Sequence, residues 1–393
     1  MEGRQVFLKR LYEASDAGEH IIGAVCGSGL TAKYVMAGGA DFILALSSGI
    51  YRSMGRGSLG GLMPYANSNE MVAAFAKREL LPMTRDFPVF FGLNATDPTL
   101  EIKTYIKAIR NWGFTGINNY PTIGFYDGDF HDALEASGLC YEAEVQAIAY
   151  AHKLGMATVA FAFNVDQAKE MIRAGADVLC VHLGLTGGGL LGASKVFSLV
   201  AAKDKINAIF EVCDTLRPGI LKMVYGGPLK DPVDVQYMYQ NTQTHGYIGG
   251  SSFDRIPTEK ALLNITQAFK STQRFTEDTL MQKMLTGITK YYDYPAFVKE
   301  YIKQNYMNEI AFSDLARLCG VSRGHLSTRF KQEVGCTLQD YLLSYRMKKA
   351  ASLLKRGVTV AEAGTMVGYP DVAHFSKMFK KTMGASPKTY KCH

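Results

Sequence analysis

Two short stretches near the end of the chain carry side chains spaced for reading a nucleic acid. In residues 311–335, Leu326, Phe330 and Val334 recur at i, i+4 and i+8 and mark one apolar helix face, which leaves Arg323, His325, Ser327, Thr328 and Lys331 on the others. Arginine, histidine and hydroxyl side chains bond to base edges, and lysine to phosphates, when such a helix lies in a major groove. In residues 358–391, Phe375 and Phe379 repeat the apolar spacing. Val372, Ala373, His374 and Lys377 then fall toward the bases and Lys380 and Lys381 nearer the phosphates. Val372 and Ala373 offer only apolar contact, so the first stretch is expected to carry more of the sequence discrimination.

The first 270 residues suit a different chemistry. Gly226 and Gly227, and then Gly249, Gly250 and Ser251, each close an apolar run. Glycine lets backbone N–H groups approach an anion, so these turns are candidates for holding phosphate or carboxylate, although they also serve as plain tight turns. Arg52 and Arg56 stand among glycines in residues 47–70 and are expected to close over the anion from a mobile loop; solvated arginines are the alternative. Ser28, Asn118 and His182 follow other apolar runs and complete the candidate ligand set. His182 reads first as an oriented core histidine and second as a base. Asp127 and Asp129 form a D-x-D pair that suits a turn as well as a metal. No His/Cys cluster has zinc spacing and no G-x-x-x-x-G-K-[ST] loop is present, so neither a metal nor a cofactor is expected.

Both sets of residues need scaffolds to position them. Ser313 is placed to cap a helix with Leu315, Ala316 and Leu318, followed by a turn at Gly320 and a second helix from about Arg323. Thr337 opens a long amphipathic helix through Leu342, Tyr345, Leu353 and Leu354 that ends at Gly357. A second pair of helices turns at Gly368, Tyr369 and Pro370. These spacings predict two helix-turn-helix motifs in tandem. In the first part, IIGAVC, DFILAL, PVFFGL, TGINNY, ATVAFAF, DVLCVHLG, LKMVYGG and GYIGGSS read as strands, each except the last plainly followed by a helical segment. Eight such units in about 250 residues predict a (β/α)₈ barrel of the TIM type, with its site at the C-terminal ends of the strands. The expected division is a barrel over 1–270, a helical linker over 271–294 and an all-α DNA-binding domain over 295–393.

Charge divides the chain at the same place. Residues 291–393 hold 16 Lys and Arg against 8 Asp and Glu, whereas residues 1–290 hold 27 against 28. Basic charge gathered around the paired motifs is what a phosphate-binding surface requires, and a uniformly basic enzyme would not divide this way. Seven scattered cysteines without a C-x-x-C pair read as reduced thiols. A charged start and the lack of a long apolar run speak against a signal peptide or membrane span, so a cytoplasmic location is expected.

The C-terminal stretch resembles the DNA-binding domain of the AraC/XylS transcription regulators. The resemblance rests on Gly368, Tyr369, Phe375, Phe379, Lys380, Lys381, Gly384, Ser386 and Pro387, together with the first motif and the helix between. Gly364 stands where that family has alanine, which implies a softer second motif, about 1 kcal/mol less helix-favouring. Residues 4–269 resemble the phosphoenolpyruvate hydrolase-like family of TIM barrels, through AGGADFILALSSGIYRSMGRGSLGGLMPYANSNE, NNYPTIGFYDGDF, AGADVLCVHLGLTGGG and GGSSFDRIPTEKA. The family pattern has asparagine at position 47 and histidine at position 225, where this chain has Ser47 and Tyr225. That departure favours a sensor over an enzyme. The expected function is therefore an AraC-type transcription regulator that binds double-stranded DNA and whose barrel senses a small anionic metabolite. The alternative is a barrel hydrolase or lyase acting on a phosphorylated or 2-oxo acid substrate, with a regulatory DNA-binding domain. RNA polymerase is a further candidate partner, and a homo-oligomer is expected.

Overall fold

The computed structural model describes residues 3–271, 294–318 and 321–391. It divides into two compact units, Met1–Ile265 and Thr266–His393. The expected turn at Gly320 lies outside the described residues. So does the expected linker over 271–294, apart from its two end positions.

In the first unit eight strands close a barrel in sequence order: β1 (Ile21–Cys26), β2 (Phe42–Ala45), β3 (Val89–Gly92), β4 (Gly116–Asn118), β5 (Ala157–Ala162), β6 (Val178–His182), β7 (Leu221–Tyr225) and β8 (Gly246–Gly249). All neighbouring strands run parallel, and β8 pairs with β1. Their uniform burial explains why they read as unbroken apolar runs instead of alternating ones. A helix also follows β8, Arg255–Ser271, which completes the eighth unit. The helix Arg4–Asp16, unforeseen from sequence, brings Phe7 within 5.8 Å of the Phe42 ring and 5.2 Å of the Phe90 ring, at the N-terminal end of the barrel. Arg4 fixes this helix by two bonds, of 2.9 and 2.6 Å, to the buried Asp177 carboxylate before β6. With that end packed shut, the opposite, C-terminal face is left for a site.

The segment after β2 differs from the expected mobile loop. It forms the helix Ser47–Ser53, a 3₁₀ turn Ser58–Leu62 and the helix Ser68–Phe75, the last capped by Asn67. Asp127 and Asp129 likewise lie at the start of a helix, Gly128–Ala136. No described helix is long and apolar enough to cross a membrane.

The second unit is helical. Phe312–Leu318 and Arg323–Val334 form the first pair, Val360–Met366 and Val372–Met383 the second, and Leu338–Lys355 joins them. Helix Phe312–Leu318 begins one residue before Ser313, so Ser313 lies in its first turn and not at the cap. Thr337 does cap the connecting helix, accepting from the Asp340 N–H, and Gly357 follows it at a left-handed φ of 90°. Arg346 on that helix donates to the carbonyls of Tyr306 (2.7 Å) and Asn308 (2.8 Å) and lies over the Tyr369 ring, tying the turn of the second motif to the helix Tyr294–Asn305.

Candidate functional site

At the C-terminal face of the barrel, Arg52 is the centre of a buried network. Its side chain is fully buried, with Nε 3.3 Å from Asp254 Oδ2, Nη1 3.2 Å from Ser58 Oγ and Nη2 3.0 Å from the Val25 carbonyl. Arg52 therefore does not close over a ligand from a mobile loop: the helix Ser47–Ser53 holds it inside, against Asp254. Gly250 lies against the same network. A Cβ there would sit 2.7 Å from the Tyr225 hydroxyl and 3.4 Å from Arg52 Nη1. At Gly249 it would meet the Phe253 ring at 2.3 Å. These glycines make room for side chains at the strand ends.

The turn after β7 is also self-engaged. The Gly227 N–H donates to the Gly184 carbonyl at 3.0 Å, and a Cβ at Gly226 would come within 2.2 Å of that same oxygen. The Gly227 N–H is thus taken up within the β6–β7 loops, contrary to its expected role toward an anion. Ser28 is occupied too: its Oγ accepts from the Thr31 N–H, and Thr31 reaches Asp254 at 3.3 Å.

His182 ends β6 opposite Tyr225 in register. Its Nδ1 accepts from the Gly184 N–H at 3.0 Å, which leaves the proton on Nε2. Phe163, Tyr225 and Phe161 surround the ring at centroid distances of 4.7, 4.6 and 5.0 Å. Burial, with a smaller push from Lys205, brings its pKa down to about 3. The imidazole is neutral and aromatic-packed, as expected of an oriented core histidine. Asn118 ends β4, donates to the Val159 carbonyl at 2.8 Å and keeps its buried Oδ1 without a partner among the described residues, as Ser47 keeps its Oγ. The cavity beside His182, Tyr120 and Tyr225 measures about 10 Å³, room for a single water.

A larger chamber of about 470 Å³ opens between the segments after β2, β6 and β8. Arg56, Ser58, Thr186, Ser194, Ser251 and Arg255 line it. Arg56 is exposed there, as its glycine-rich surroundings suggested. Ser251 Oγ lies 3.4 Å from Ser58 Oγ, which links the chamber to Arg52. Arg255 was not singled out from the sequence, although it stands in the segment GGSSFDRIPTEKA. Its Nη1 bonds Glu259 and its Nη2 the Gly188 carbonyl, both at 2.9 Å, while its buried Nε has no partner among the described residues. Glu259 also accepts from the Leu190 N–H at 2.8 Å, so the glycine-rich loop after β6 is fastened to the helix after β8. The structure thus gathers Arg56 and Ser251 at the chamber, sets Arg52 and Gly250 beneath it, and leaves Ser28, Asn118 and His182 outside its lining. Among the described residues no His, Cys, Asp and Glu group could hold a metal.

In the second unit the two reading helices share one plan. Each has 12 residues, each buries two apolar residues at i and i+4 (Leu326 with Phe330, Phe375 with Phe379), and each ends at a left-handed glycine, Gly335 or Gly384. Arg323, His325, Thr328 and Lys331 are exposed on the first, with Ser327 half-buried; Val372, Ala373, His374, Lys377, Lys380 and Lys381 are exposed on the second. Their caps differ. Ser322 accepts from the His325 N–H, whereas the Asp371 carboxylate accepts from Ala373 and His374. Gly364 proves to be a close-approach residue: a Cβ there would lie 3.0 Å from the Phe375 ring and 3.1 Å from the Tyr369 carbonyl. Its missing side chain lets the two helices of the motif meet, which the expected softening overlooked.

Comparison with known proteins agrees with both halves. The phosphoenolpyruvate hydrolase-like family model matches residues 6–272, and a helix-turn-helix domain model matches residues 315–392. The ToMV resistance protein Tm-1 of Solanum lycopersicum is 38% identical over 272 residues, 69% of this chain and 36% of that protein. A putative transcriptional regulatory protein, y4pA, of Sinorhizobium fredii is 38% identical over 251 residues, 64% of this chain and 41% of its own length. The chain therefore spans well under half the length of these relatives. The lactose operon transcription activator of Staphylococcus xylosus is 35% identical over 95 residues, covering 24% of this chain and 34% of its own. Among solved structures, the C-terminal domain of the response regulator AraT from Geobacillus stearothermophilus is 31% identical, covers 26% of this chain and 88% of its own, and has a TM-score of 0.25. The chain belongs to the phosphoenolpyruvate hydrolase-like family and carries an AraC-type helix-turn-helix domain behind its TIM barrel.

Proposed function

We propose that this chain is a sequence-specific transcription regulator of cytoplasmic double-stranded DNA, and that its barrel takes up a compact phosphate- or carboxylate-bearing metabolite. The DNA half rests on two reading helices whose candidate base and phosphate groups face outward in a basic unit. The ligand half rests chiefly on one observation, the buried and unpartnered Arg255 Nε beside a chamber that also presents Arg56, Ser58 and Ser251. A buried cationic donor without an acceptor is costly, and a small shift of Arg255 toward an anionic oxygen in the chamber would satisfy it. In this reading Ser251 and Arg56 face the ligand, and Arg52 acts beneath, by fixing Ser58. A ligand that bridges the segments after β2, β6 and β8 would bind two arrangements of those segments unequally, which is the requirement for a switch.

The two halves separate experimentally. Calorimetric titration of the full chain with inorganic phosphate and with pyruvate should give saturable binding to at least one, weakened roughly tenfold in Arg56→Ala, since one charge-assisted hydrogen bond is worth about 1.5 kcal/mol. Absence of binding by both anions would remove the ligand half. Selection of duplexes from a random pool should return one consensus; recovery without any consensus would remove the DNA half.

A further inference from the structure

The chamber between the segments after β2, β6 and β8 has two unlike sides. One is a set of donors. Arg52 Nη1 bonds Ser58 Oγ at 3.2 Å, and a guanidinium cannot accept, so the Ser58 hydroxyl accepts there and keeps its own O–H for another partner. Ser251 Oγ lies 3.4 Å from Ser58 Oγ, and whichever of the two donates, one O–H is left to place toward the chamber they both line. Arg56 adds an exposed guanidinium, and no aspartate or glutamate is part of the lining. Donors gathered without a carboxylate are matched by a group that only accepts, a carboxylate or a phosphate.

The other side is apolar and open to water. Leu59 and Leu191 are each 48% exposed, Met63 43% and Tyr65 67%, and all four line the chamber. Single exposed apolar side chains need no account, whereas four around one cavity hold water against a surface that cannot bond it. Leu59, Met63 and Tyr65 belong to the segment after β2 and Leu191 to the loop after β6. The two segments meet next to Arg56: a Cβ on Gly57 would lie 3.6 Å from the Leu191 carbonyl. The apolar wall therefore begins beside the donors. At about 470 Å³ the chamber also falls in the range that encloses most of a drug-sized molecule, roughly 300–1,000 Å³, and an anion the size of phosphate would leave the wall wet.

Granted the anion uptake proposed for this barrel, we infer that the ligand is an amphipathic acid: a compact carboxylate or phosphate head on Ser251 and Arg56, joined to an apolar body of ring size that lies against Leu59, Met63, Tyr65 and Leu191. Contact of that body with both segments is made only while they stand together, so the apolar part supplies the unequal affinity for two arrangements that a switch requires.

The test is calorimetric titration of the full chain with two pairs of compounds, inorganic phosphate against phenyl phosphate and pyruvate against phenylpyruvate. In at least one pair the phenyl member should bind more tightly, on the order of tenfold, the effect of covering one ring in part. Benzyl alcohol, a ring without an acid, should show no saturable binding. Leu191→Ser combined with Met63→Ser, at two exposed positions where the fold does not depend on the side chain, should bring the affinity ratio within that pair close to one. Equal affinities within both pairs would overturn the amphipathic ligand and leave the uptake of a compact anion standing, whereas no binding of any of the four acids would remove the anion uptake itself. Benzyl alcohol binding as tightly as phenyl phosphate, or a phenyl advantage that survives both serine substitutions, would equally overturn the assignment, the first by dispensing with the head and the second by placing the ring elsewhere.

Discussion

The barrel mouth and the reading helices solve opposite problems with similar residues. At the mouth, Arg52 is enclosed and its guanidinium is shared among Asp254, Ser58 and a carbonyl, so its charge serves the scaffold. On the reading helices, Arg323 and Lys380 are exposed and their donors face solvent. Enclosed charge fixes geometry, and in the proposed function the binding falls to the exposed Arg56. Exposed charge is free for a polyanion and carries almost no structural duty. The contrast implies that removing a charge partner at the mouth costs stability, whereas removing a charge on the helices costs only DNA affinity.

Asp254→Ala should have the largest effect. It leaves the Arg52 guanidinium buried with no counter-charge, a change worth about 3–5 kcal/mol. Urea unfolding followed through Trp112, the sole tryptophan and part of the barrel, should register that loss. DNA binding measured below the unfolding transition should stay within about twofold. A variant as stable as the parent would mean that the Arg52 network does not hold the mouth.

His182 extends the same contrast to pH. Its folded pKa is about 3, below the ordinary value of about 6.5, because burial disfavours the imidazolium. The unfolded chain therefore binds the proton more readily. The stability this group contributes is complete above about pH 6.5 and falls as pH drops from there toward 3. At pH 5 the loss amounts to about 2 kcal/mol. His182→Phe should flatten that part of the profile whatever it does to stability at pH 8, and an unchanged slope between pH 8 and pH 5 would assign the titration to other groups.

These differences also mark what could be read from the chain beforehand. The eight strands were legible because each is a short, largely apolar run, and the reading helices because two i, i+4 apolar pairs leave polar faces at fixed offsets. Thr337 was legible as a cap because its oxygen serves a donor three residues on. Arg52 was misjudged because its partner lies 202 positions away, and glycines around it look like a loop when they in fact permit close packing. Arg255 was missed for the same reason: its chamber is made by three separate strand ends. Gly364 misled by propensity, since the gain lies in its contact with Phe375. Local spacing predicts which side chains a helix leaves exposed, whereas the partners of a buried side chain depend on contacts that no local pattern records.

Within the DNA-binding unit the comparison sharpens to single residues. Arg323→Ala should cost about 1.5 kcal/mol on the preferred duplex and relax preference at one or two base positions. Lys380→Ala should weaken all duplexes alike and reduce the salt slope by about 1. Competition assays on the selected duplex and on single-position mismatches distinguish the two. Parallel behaviour of the variants would cancel the division into base-reading and phosphate-holding groups.

The smallest effect should come from exchanging the caps. Ser322 and Asp371 both place an oxygen on the free N–H groups of a reading helix, so Ser322→Asp and Asp371→Ser should each leave stability within about 0.5 kcal/mol. Charge is the only large difference between them. A carboxylate at a helix N-terminus cancels the partial positive charge that this end offers to a phosphate. Asp371→Ser should therefore tighten DNA binding by roughly threefold at low salt, and Ser322→Asp should weaken it by a similar factor, both effects fading as salt screens the phosphates. Both helices must enter DNA by their N-terminal ends for this to hold. A response to Ser322→Asp alone would mean that the first helix enters a groove while the second only lies along the backbone, and the two motifs would then be alike in fold but not in docking.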